Sequence, residues 1–260
     1  MHPVEAAVLG AVQGITEFLP ISSDGHLVLF QRLFGVGGPG TMAFDVVLHL
    51  PSLLVMVWVF RRDIAAALTT RRRLIPLVVV GSIPVGLVGL FLKDWIETRC
   101  WDNLFVAAAG WVATGVLLLW GARRAAARGL EEAGVRDALW VGAAQALAPL
   151  PGFSRSGLTT GAGMGTGLGA EAAVRFSFLL GMPAIAGATL LAVVKEGRQV
   201  MAFGTLPVMV GVVSSFAASA LAAWGLLALA RRGKLAWPAW YCIALGMVVA
   251  ALELVHLGMA

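Results

Sequence analysis

Charged residues are scarce in this chain. Only 13% of its 260 residues are charged, whereas 59% are hydrophobic and the mean hydropathy is +0.88. Since a soluble domain carries about 25% charged residues, this balance excludes an ordinary soluble globular protein. Cysteine is scarcer still, and with only Cys100 and Cys242 we expect neither a disulfide framework nor a zinc site. The N-terminus lacks a basic segment before Glu5, so we expect no removable signal peptide.

Long apolar runs are what the chain has in abundance. Crossing a bilayer core of about 30 Å takes roughly 20 apolar residues in a helix. Six windows approach or exceed this length: 42–60, 74–92, 104–121, 174–194, 206–230 and 237–258. The sequence therefore predicts an all-α polytopic membrane protein with six transmembrane helices, in a single membrane domain over 1–260.

The basic residues are concentrated in three loops. Twelve of the nineteen Lys and Arg residues follow the first, third and fifth spans: Arg61, Arg62, Arg71, Arg72, Arg73, Arg123, Arg124, Arg128, Arg136, Arg231, Arg232 and Lys234. The positive-inside rule makes these loops cytoplasmic, which places both chain ends on the outer side. The net charge of +5 thus describes topology, and it does not imply a nucleic-acid partner.

The chain also matches itself at a constant offset of 132 residues. The matched pairs are Ala6/Ala138, Gly10/Gly142, Ala11/Ala143, Gln13/Gln145, Ser22/Ser154, Gly25/Gly157, Gly35/Gly167, Gly37/Gly169, Phe44/Phe176, Leu48/Leu180 and Pro51/Pro183. The spans recur at nearly the same offset. Agreement at one spacing without a gap indicates an internal duplication.

Each half opens with a stretch, 3–35 or 137–168, whose apolar run is broken by Pro, Gly and Ser. Such a stretch predicts a re-entrant helical hairpin, because broken backbone is tolerated at membrane depth only inside protein or beside water. Repeat one (3–121) and repeat two (137–258) then each contain a hairpin and three spans. Three is odd, so the second repeat is inverted and the two hairpin tips meet near the midplane. Duplicated scaffolding without a site is the alternative.

The first tip carries polar groups that are costly inside a membrane. They are Gln13, Glu17, Ser22, Ser23, Asp24 and His26. Gln13 and Glu17 lie one helical turn apart, a spacing that suits two oxygen ligands for Mg²⁺ or Ca²⁺. Ser23 is a candidate nucleophile if Glu17 or His26 accepts its proton. His26 has a second interpretation, as a hydrogen-bond donor in helix packing.

The second tip is cationic and rich in hydroxyls. It offers Ser154, Arg155, Ser156, Thr159 and Thr160, just before a glycine-rich helix. A guanidinium, hydroxyls and free amides at a helix start favour an oxyanion such as phosphate. The alternative is a structural ion pair between Arg155 and Glu17 or Asp24. Asp45, His49 and Arg175 are explained by simple pairing or snorkelling, and His49 is the one we expect to line the cavity.

Both tips resemble those of the undecaprenyl-diphosphate phosphatase family, also known as the bacitracin-resistance protein family. "QGITEFLPISSDGHLVL" (13–29) fits its (E/Q)-x-x-x-E element with a Ser-Ser-x-Gly-His turn, and "PGFSRSGLTT" (151–160) fits its Pro-Gly-x-Ser-Arg-Ser element; "FSFLLGMP" (176–183) supports both. The resemblance covers essentially the whole chain. It implies hydrolysis of undecaprenyl diphosphate to the monophosphate and phosphate at the outer side of the bacterial inner membrane, which recycles the carrier lipid for cell-wall synthesis.

The resemblance also implies roles for individual residues. Glu17 belongs to the acid/base and metal site with Gln13, Ser23 is the candidate nucleophile, His26 assists, and Arg155 holds the diphosphate. We expect Ser22, Ser154, Ser156 and Thr159 to contribute to substrate binding. Two residues depart from the family pattern: Gln13 stands where many members have glutamate, and Asp24 where they have Thr or Ser. A neutral Gln13 weakens a two-carboxylate metal site, and Asp24 restores a charge nearby.

A lipid-phosphate translocase is the rival function, because inverted repeats with broken helices are typical of alternating access. The set of Glu17, Ser23 and His26 favours the enzyme, since binding alone does not require it. The expected partners are a polyprenyl diphosphate and membrane lipids. Whether serine or water attacks, and whether the chain is a monomer or a homodimer, stays open.

Overall fold

The chain folds into helices throughout the part that the structure, a computed structural model, describes, which is residues 1–37 and 40–259. Twelve α-helices follow one another along it: α1 (Pro3–Phe18), α2 (Ser23–Phe34), α3 (Thr41–Val59), α4 (Arg61–Leu68), α5 (Leu74–Phe91), α6 (Lys93–Arg99), α7 (Leu104–Arg124), α8 (Val135–Gln145), α9 (Arg155–Gly165), α10 (Ala170–Met201), α11 (Thr205–Arg231) and α12 (Ala236–Met259).

Six of these helices are long and apolar enough to cross a membrane. They contain the segments Thr41–Val59, Leu74–Phe91, Leu104–Arg124, Ala170–Lys195, Thr205–Arg231 and Ala236–Leu257. Each coincides with one of the six predicted windows to within a few residues. The prediction of an all-α, multi-pass membrane protein with six spans is therefore confirmed.

The two interrupted stretches are divided where proline, glycine and serine predicted a break. The longest of their four helices, α1, has 16 residues and measures about 24 Å, so none of them crosses a core of about 30 Å. The first break follows Phe18 and contains Pro20. The second follows Gln145 and contains Gly152, whose φ of 83° is a conformation that favours glycine.

Each interrupted stretch packs its first helix against a span from the other half of the chain. Helix α1 lies against α11, and α8 lies against α5. Glycines face each other at both crossings: a Cβ on Gly10 would overlap the carbonyl oxygen of Gly211, and a Cβ on Gly142 would lie 2.5 Å from that of Gly81. Helix α9 packs on α7, and α3 on α10. These contacts bring the two breaks next to each other, since a Cβ on Gly157 would lie 3.1 Å from the Pro20 carbonyl oxygen.

The close crossing of α1 and α11 gives a prediction about stability. Gly10→Ala is expected to destabilise the protein by about 1–3 kcal/mol, because the added methyl group meets rigid backbone. The matched control is Gly225→Ala in α11, the helix that α1 crosses, where an added Cβ meets nothing within 4 Å. Thermal melting in detergent compares the two variants. Equal melting temperatures would contradict the close crossing.

Candidate active site

Glu17 and Ser23 are brought together by the break between α1 and α2. Gln13 and Glu17 face the same side of the last turns of α1, and the Gln13 Nε2 donates to Glu17 Oε2 at 3.2 Å. Ser22 then turns the chain with a φ of 71°, the one positive φ outside glycine among the described residues. Its hydroxyl accepts from the Gly25 amide at 3.3 Å and caps α2. Ser23, the first residue of α2, consequently donates its hydroxyl to Glu17 Oε2 at 2.8 Å.

The second break presents Arg155 by a similar local device. The Ser154 hydroxyl accepts from the Gly157 amide at 3.1 Å and caps α9, as Ser22 does for Gly25 in α2. The backbone amide of Ser154 donates to the Thr114 hydroxyl on α7 at 3.0 Å. Arg155 is thus the first residue of α9 and extends from a point fixed by both a cap and a neighbouring span.

The two breaks meet at the Glu17 carboxylate. Arg155 Nη2 lies 2.5 Å from Glu17 Oε1, and the Ser156 hydroxyl donates to the Leu19 carbonyl at 3.3 Å. The Glu17 side chain is buried and that of Arg155 is mostly buried, so the ion pair is largely shielded from solvent at the end of a cavity. The structure therefore contains the Arg155–Glu17 bridge that sequence reasoning offered as an alternative to a phosphate cradle.

An aromatic column supports the arginine. The guanidinium carbon of Arg155 lies 5.0 Å from the centre of the Phe178 ring. Phe178 stacks on Phe60 at a centroid distance of 5.0 Å and on Phe18 at 5.4 Å. This contact holds the cation by its face and leaves its nitrogen atoms for hydrogen bonds in the plane.

His49 adds a second basic group to the cluster. Its Nε2 lies 3.3 Å from Glu17 Oε2 and 3.7 Å from Asp24 Oδ1, while its Nδ1 contacts the Asp45 carbonyl at 2.9 Å. His49 lines the cavity as predicted, but its contact with Glu17 was not foreseen. Two carboxylates, one guanidinium and one imidazole thus share the polar end of one cavity.

That cavity has a volume of about 620 Å³ and runs away from the polar cluster between α5 and α10. Its polar end includes Glu17, Ser23, Asp24 and Arg155, with Ser22, Ser154 and Ser156 in the wall. Apolar residues of α5 between 85 and 90, and of α10 between 184 and 191, form much of the rest. A polar end with long apolar walls suits a ligand that has an anionic group at one end and a long apolar chain at the other.

Two candidate residues lie differently from what their sequence positions suggested. His26 does not turn to Ser23: its Nδ1 contacts the Ser22 carbonyl at 2.6 Å, and its Nε2 contacts the Tyr241 hydroxyl at 2.9 Å. Thr159 lies outside the cavity wall, where its hydroxyl donates to the Arg155 carbonyl at 2.6 Å and contacts Ser177. Catalytic assistance by His26 and substrate binding by Thr159 stay predictions.

Tyr241 is a residue that sequence reasoning missed. It is the only tyrosine of the chain, and besides its hydrogen bond its ring stacks on His26 at 5.8 Å. That rarity was the one available signal. A side chain 215 positions away cannot be paired with His26 from spacing, because the contact depends on how α12 is rotated in the bundle.

Fold and site together define a multi-pass membrane protein with a buried carboxylate, serine and arginine at the end of an apolar cavity. The chain belongs to the family described as bacitracin resistance protein BacA, whose model matches residues 6–248. The resemblance found from the two tips is thereby confirmed.

Similar proteins extend over nearly the whole chain and carry the name undecaprenyl-diphosphatase. The protein of Carboxydothermus hydrogenoformans is 37% identical over 97% of this chain and 98% of its own length. That of Desulforapulum autotrophicum is 35% identical, with coverages of 95% and 97%. That of Methanobrevibacter smithii is 34% identical, with coverages of 99% and 100%.

Proposed function

We infer that this protein is a membrane phosphatase that hydrolyses undecaprenyl diphosphate to undecaprenyl phosphate and inorganic phosphate. The observation that carries the inference is the meeting of Glu17, Ser23 and Arg155 at the polar end of an apolar cavity. The name shared by the relatives supports the substrate. Membership of a family named for bacitracin resistance agrees with a role in this lipid's cycle.

Ser23 is proposed as the attacking group and Glu17 as its base. The hydrogen bond from Ser23 Oγ to Glu17 Oε2 already points the proton at its acceptor. As Oγ bonds to the terminal phosphorus, the bond from that phosphorus to the bridging oxygen breaks and undecaprenyl phosphate leaves. Water then hydrolyses the phosphoserine and restores the hydroxyl. The alternative, in which Glu17 activates water directly, uses the same residues.

Arg155 is proposed to bind the diphosphate and to stabilise the charge that builds up during transfer. Phosphoryl transfer depends mainly on positioning and electrostatics, and both are strongest where water is excluded. In the described state Arg155 is paired with Glu17. A diphosphate that draws the guanidinium toward itself weakens this pair, so Glu17 becomes a stronger base when substrate is present.

The finer architecture is proposed to be an inverted repeat with two re-entrant hairpins, 3–35 and 137–168. The packing of α1 against α11 and of α8 against α5, each a contact between the two halves of the chain, supports it, as do the equivalent caps formed by Ser22 and Ser154.

The cavity includes residues of α6, which lies at the opposite end of α5 from the arginine-rich loop. This placement supports a site that opens outward from the inner membrane, with both chain ends outside. The contacts with membrane lipids and the homodimer stay predictions.

A divalent cation, Mg²⁺ or Ca²⁺, also stays a prediction. Gln13 Oε1 suits a ligand role, since it is buried without a partner in the described part of the chain. Glu17 fits poorly, because its oxygens already accept from Arg155, Ser23 and Gln13, and His49 adds a further basic neighbour. No step above therefore depends on a cation.

Titrating Mg²⁺ and Ca²⁺ into EDTA-treated wild type and Gln13→Ala tests this site. An unchanged half-saturating concentration in the variant would remove Gln13 from it.

Purified protein in detergent tests the proposed activity directly. We expect phosphate release from undecaprenyl diphosphate, and little release from undecaprenyl monophosphate, because the attack requires a good phosphate leaving group. A wild type that binds the diphosphate and never releases phosphate would refute the enzyme. Such a result would revive the translocase, which the relatives' shared name and the Glu17–Ser23 hydrogen bond do not favour.

A further inference from the structure

Gln145 is a buried amide that uses none of its hydrogen-bonding groups. The side chain is fully buried at the end of α8, and neither Nε2 nor Oε1 has a partner within the described residues. A buried polar group without a partner costs about 1–3 kcal/mol, and an amide has two such groups. Native proteins rarely leave such groups unpaired without a functional reason.

The internal repeat explains why the chain itself provides no partner. Gln145 corresponds to Gln13 at the offset of 132, and Gln13 donates to Glu17 one turn later. The residue one turn after Gln145 is Pro149, which has no side-chain acceptor. Gln145 therefore occupies in α8 the position that Gln13 occupies in α1. In α8, however, there is no carboxylate one turn later to accept a hydrogen bond from the amide.

The surroundings of Gln145 point to the missing partner. Gln145 lines the 620 Å³ cavity together with Arg155 and Ser154. Arg155 has an unused donor as well, because Nη2 binds Glu17 while Nη1 is buried without a partner. Two donors without partners in one cavity wall match an anion with several acceptor oxygens.

We propose that Gln145 is a substrate-binding residue whose Nε2 donates to a phosphate oxygen of the bound diphosphate, alongside Nη1 of Arg155. This inference rests on the proposed function and extends its site to helix α8. Ser23 and Glu17 act on the terminal phosphate, whereas Gln145 and Arg155 hold the diphosphate in place.

Gln145→Met separates a binding role from a structural one. The variant removes no hydrogen bond of the ligand-free protein, so its melting temperature should equal or exceed that of wild type. Its kcat/KM for undecaprenyl diphosphate should fall about 10- to 100-fold, as expected for loss of a hydrogen bond to a charged group. Gln145→Glu keeps the shape and replaces the donor by an acceptor, so it should be impaired at least as much.

Gln31→Met is the matched control. Gln31 is also a buried glutamine, but it donates to Asp45 at 2.7 Å and lies outside the cavity wall. This variant should melt at a lower temperature and retain most of its activity per folded molecule. The two glutamines are thus expected to show opposite patterns of stability and activity.

Binding of farnesyl methylenediphosphonate, whose CH₂ bridge resists hydrolysis, gives a readout independent of turnover. Gln145→Met should bind it about tenfold more weakly than wild type does. Unchanged affinity and kcat/KM, or a lowered melting temperature that accounts for the lost activity, would overturn the role of Gln145. An inactive wild type would instead refute the proposed function, so the two failures are distinguishable.

Discussion

Replacing Arg155 by alanine is expected to lower the rate of phosphate release about a thousandfold or more. The guanidinium is the cation that the second break places at the polar end of the cavity, where an apolar environment strengthens its effect on a developing phosphate charge. Release of phosphate from saturating undecaprenyl diphosphate measures the loss. Arg155→Lys keeps the charge without the planar fork, so its activity should lie between those of alanine and wild type.

A stability control is needed because Arg155→Ala also leaves the Glu17 carboxylate buried without its cation. Breaking a buried pair from one side costs about 3–5 kcal/mol, whereas neutralising both partners costs much less. The double variant Glu17→Gln/Arg155→Met should therefore recover melting temperature relative to Arg155→Ala and remain inactive. If folded Arg155→Ala keeps more than about a tenth of the wild-type rate, Arg155 does not stabilise the transferred phosphate.

Ser23→Ala is expected to reduce phosphate release by about a thousandfold or more while lipid binding persists. The substitution removes the proposed attacking oxygen and leaves Arg155, Gln145 and the apolar walls in place. Affinity for farnesyl methylenediphosphonate should thus stay close to that of wild type. Mass spectrometry of acid-quenched wild-type enzyme should find phosphate on Ser23.

Ser52→Ala is a matched control for Ser23→Ala. Ser52 is also a buried serine, bonded to Ser219 at 2.9 Å and outside the cavity wall, so its loss should leave turnover unchanged. Substantial turnover by Ser23→Ala would assign the attack to water. In that case Glu17→Gln, which removes the base in either mechanism, would still be inactive.

The spans and the breaks were predictable because each depends on local composition. Twenty apolar residues are enough to cross a membrane, and each break combines proline, glycine and serine within a few residues, whereas a single proline such as Pro51 or Pro183 stays inside its span. The contact between Glu17 and Arg155 was also predictable. The offset of 132 aligned the two breaks, and polar groups in an apolar setting are stable only when they pair with one another. Sequence reasoning left open whether that meeting was a phosphate cradle or an ion pair.

Contacts that depend on helix rotation were not predictable. His49 was expected to line the cavity. Its contact with Glu17, however, joins two residues that are 32 positions apart in the sequence, and it depends on how α3 is turned toward α1. His26 was paired with Ser23 by spacing, but its ring points to Tyr241 on α12. Thr159 follows Arg155 by one turn and bonds back to the backbone of Arg155 instead of facing the cavity. Spacing defines the candidates, and packing decides which of them share a cavity.

The stacked rings of Phe60, Phe178 and Phe18 have a consequence for the membrane potential. A wet cavity that reaches deep into an energised membrane thins the barrier to protons and ions, and each charge moved across it is worth about 2.3 kcal/mol per 100 mV. The column lies beneath Arg155 and reaches Phe60, which directly precedes the arginines that begin α4. In the proposed outward-facing orientation, the stacked rings would separate the polar end of the cavity from the arginines that begin α4 and so would limit a leak of protons along that path.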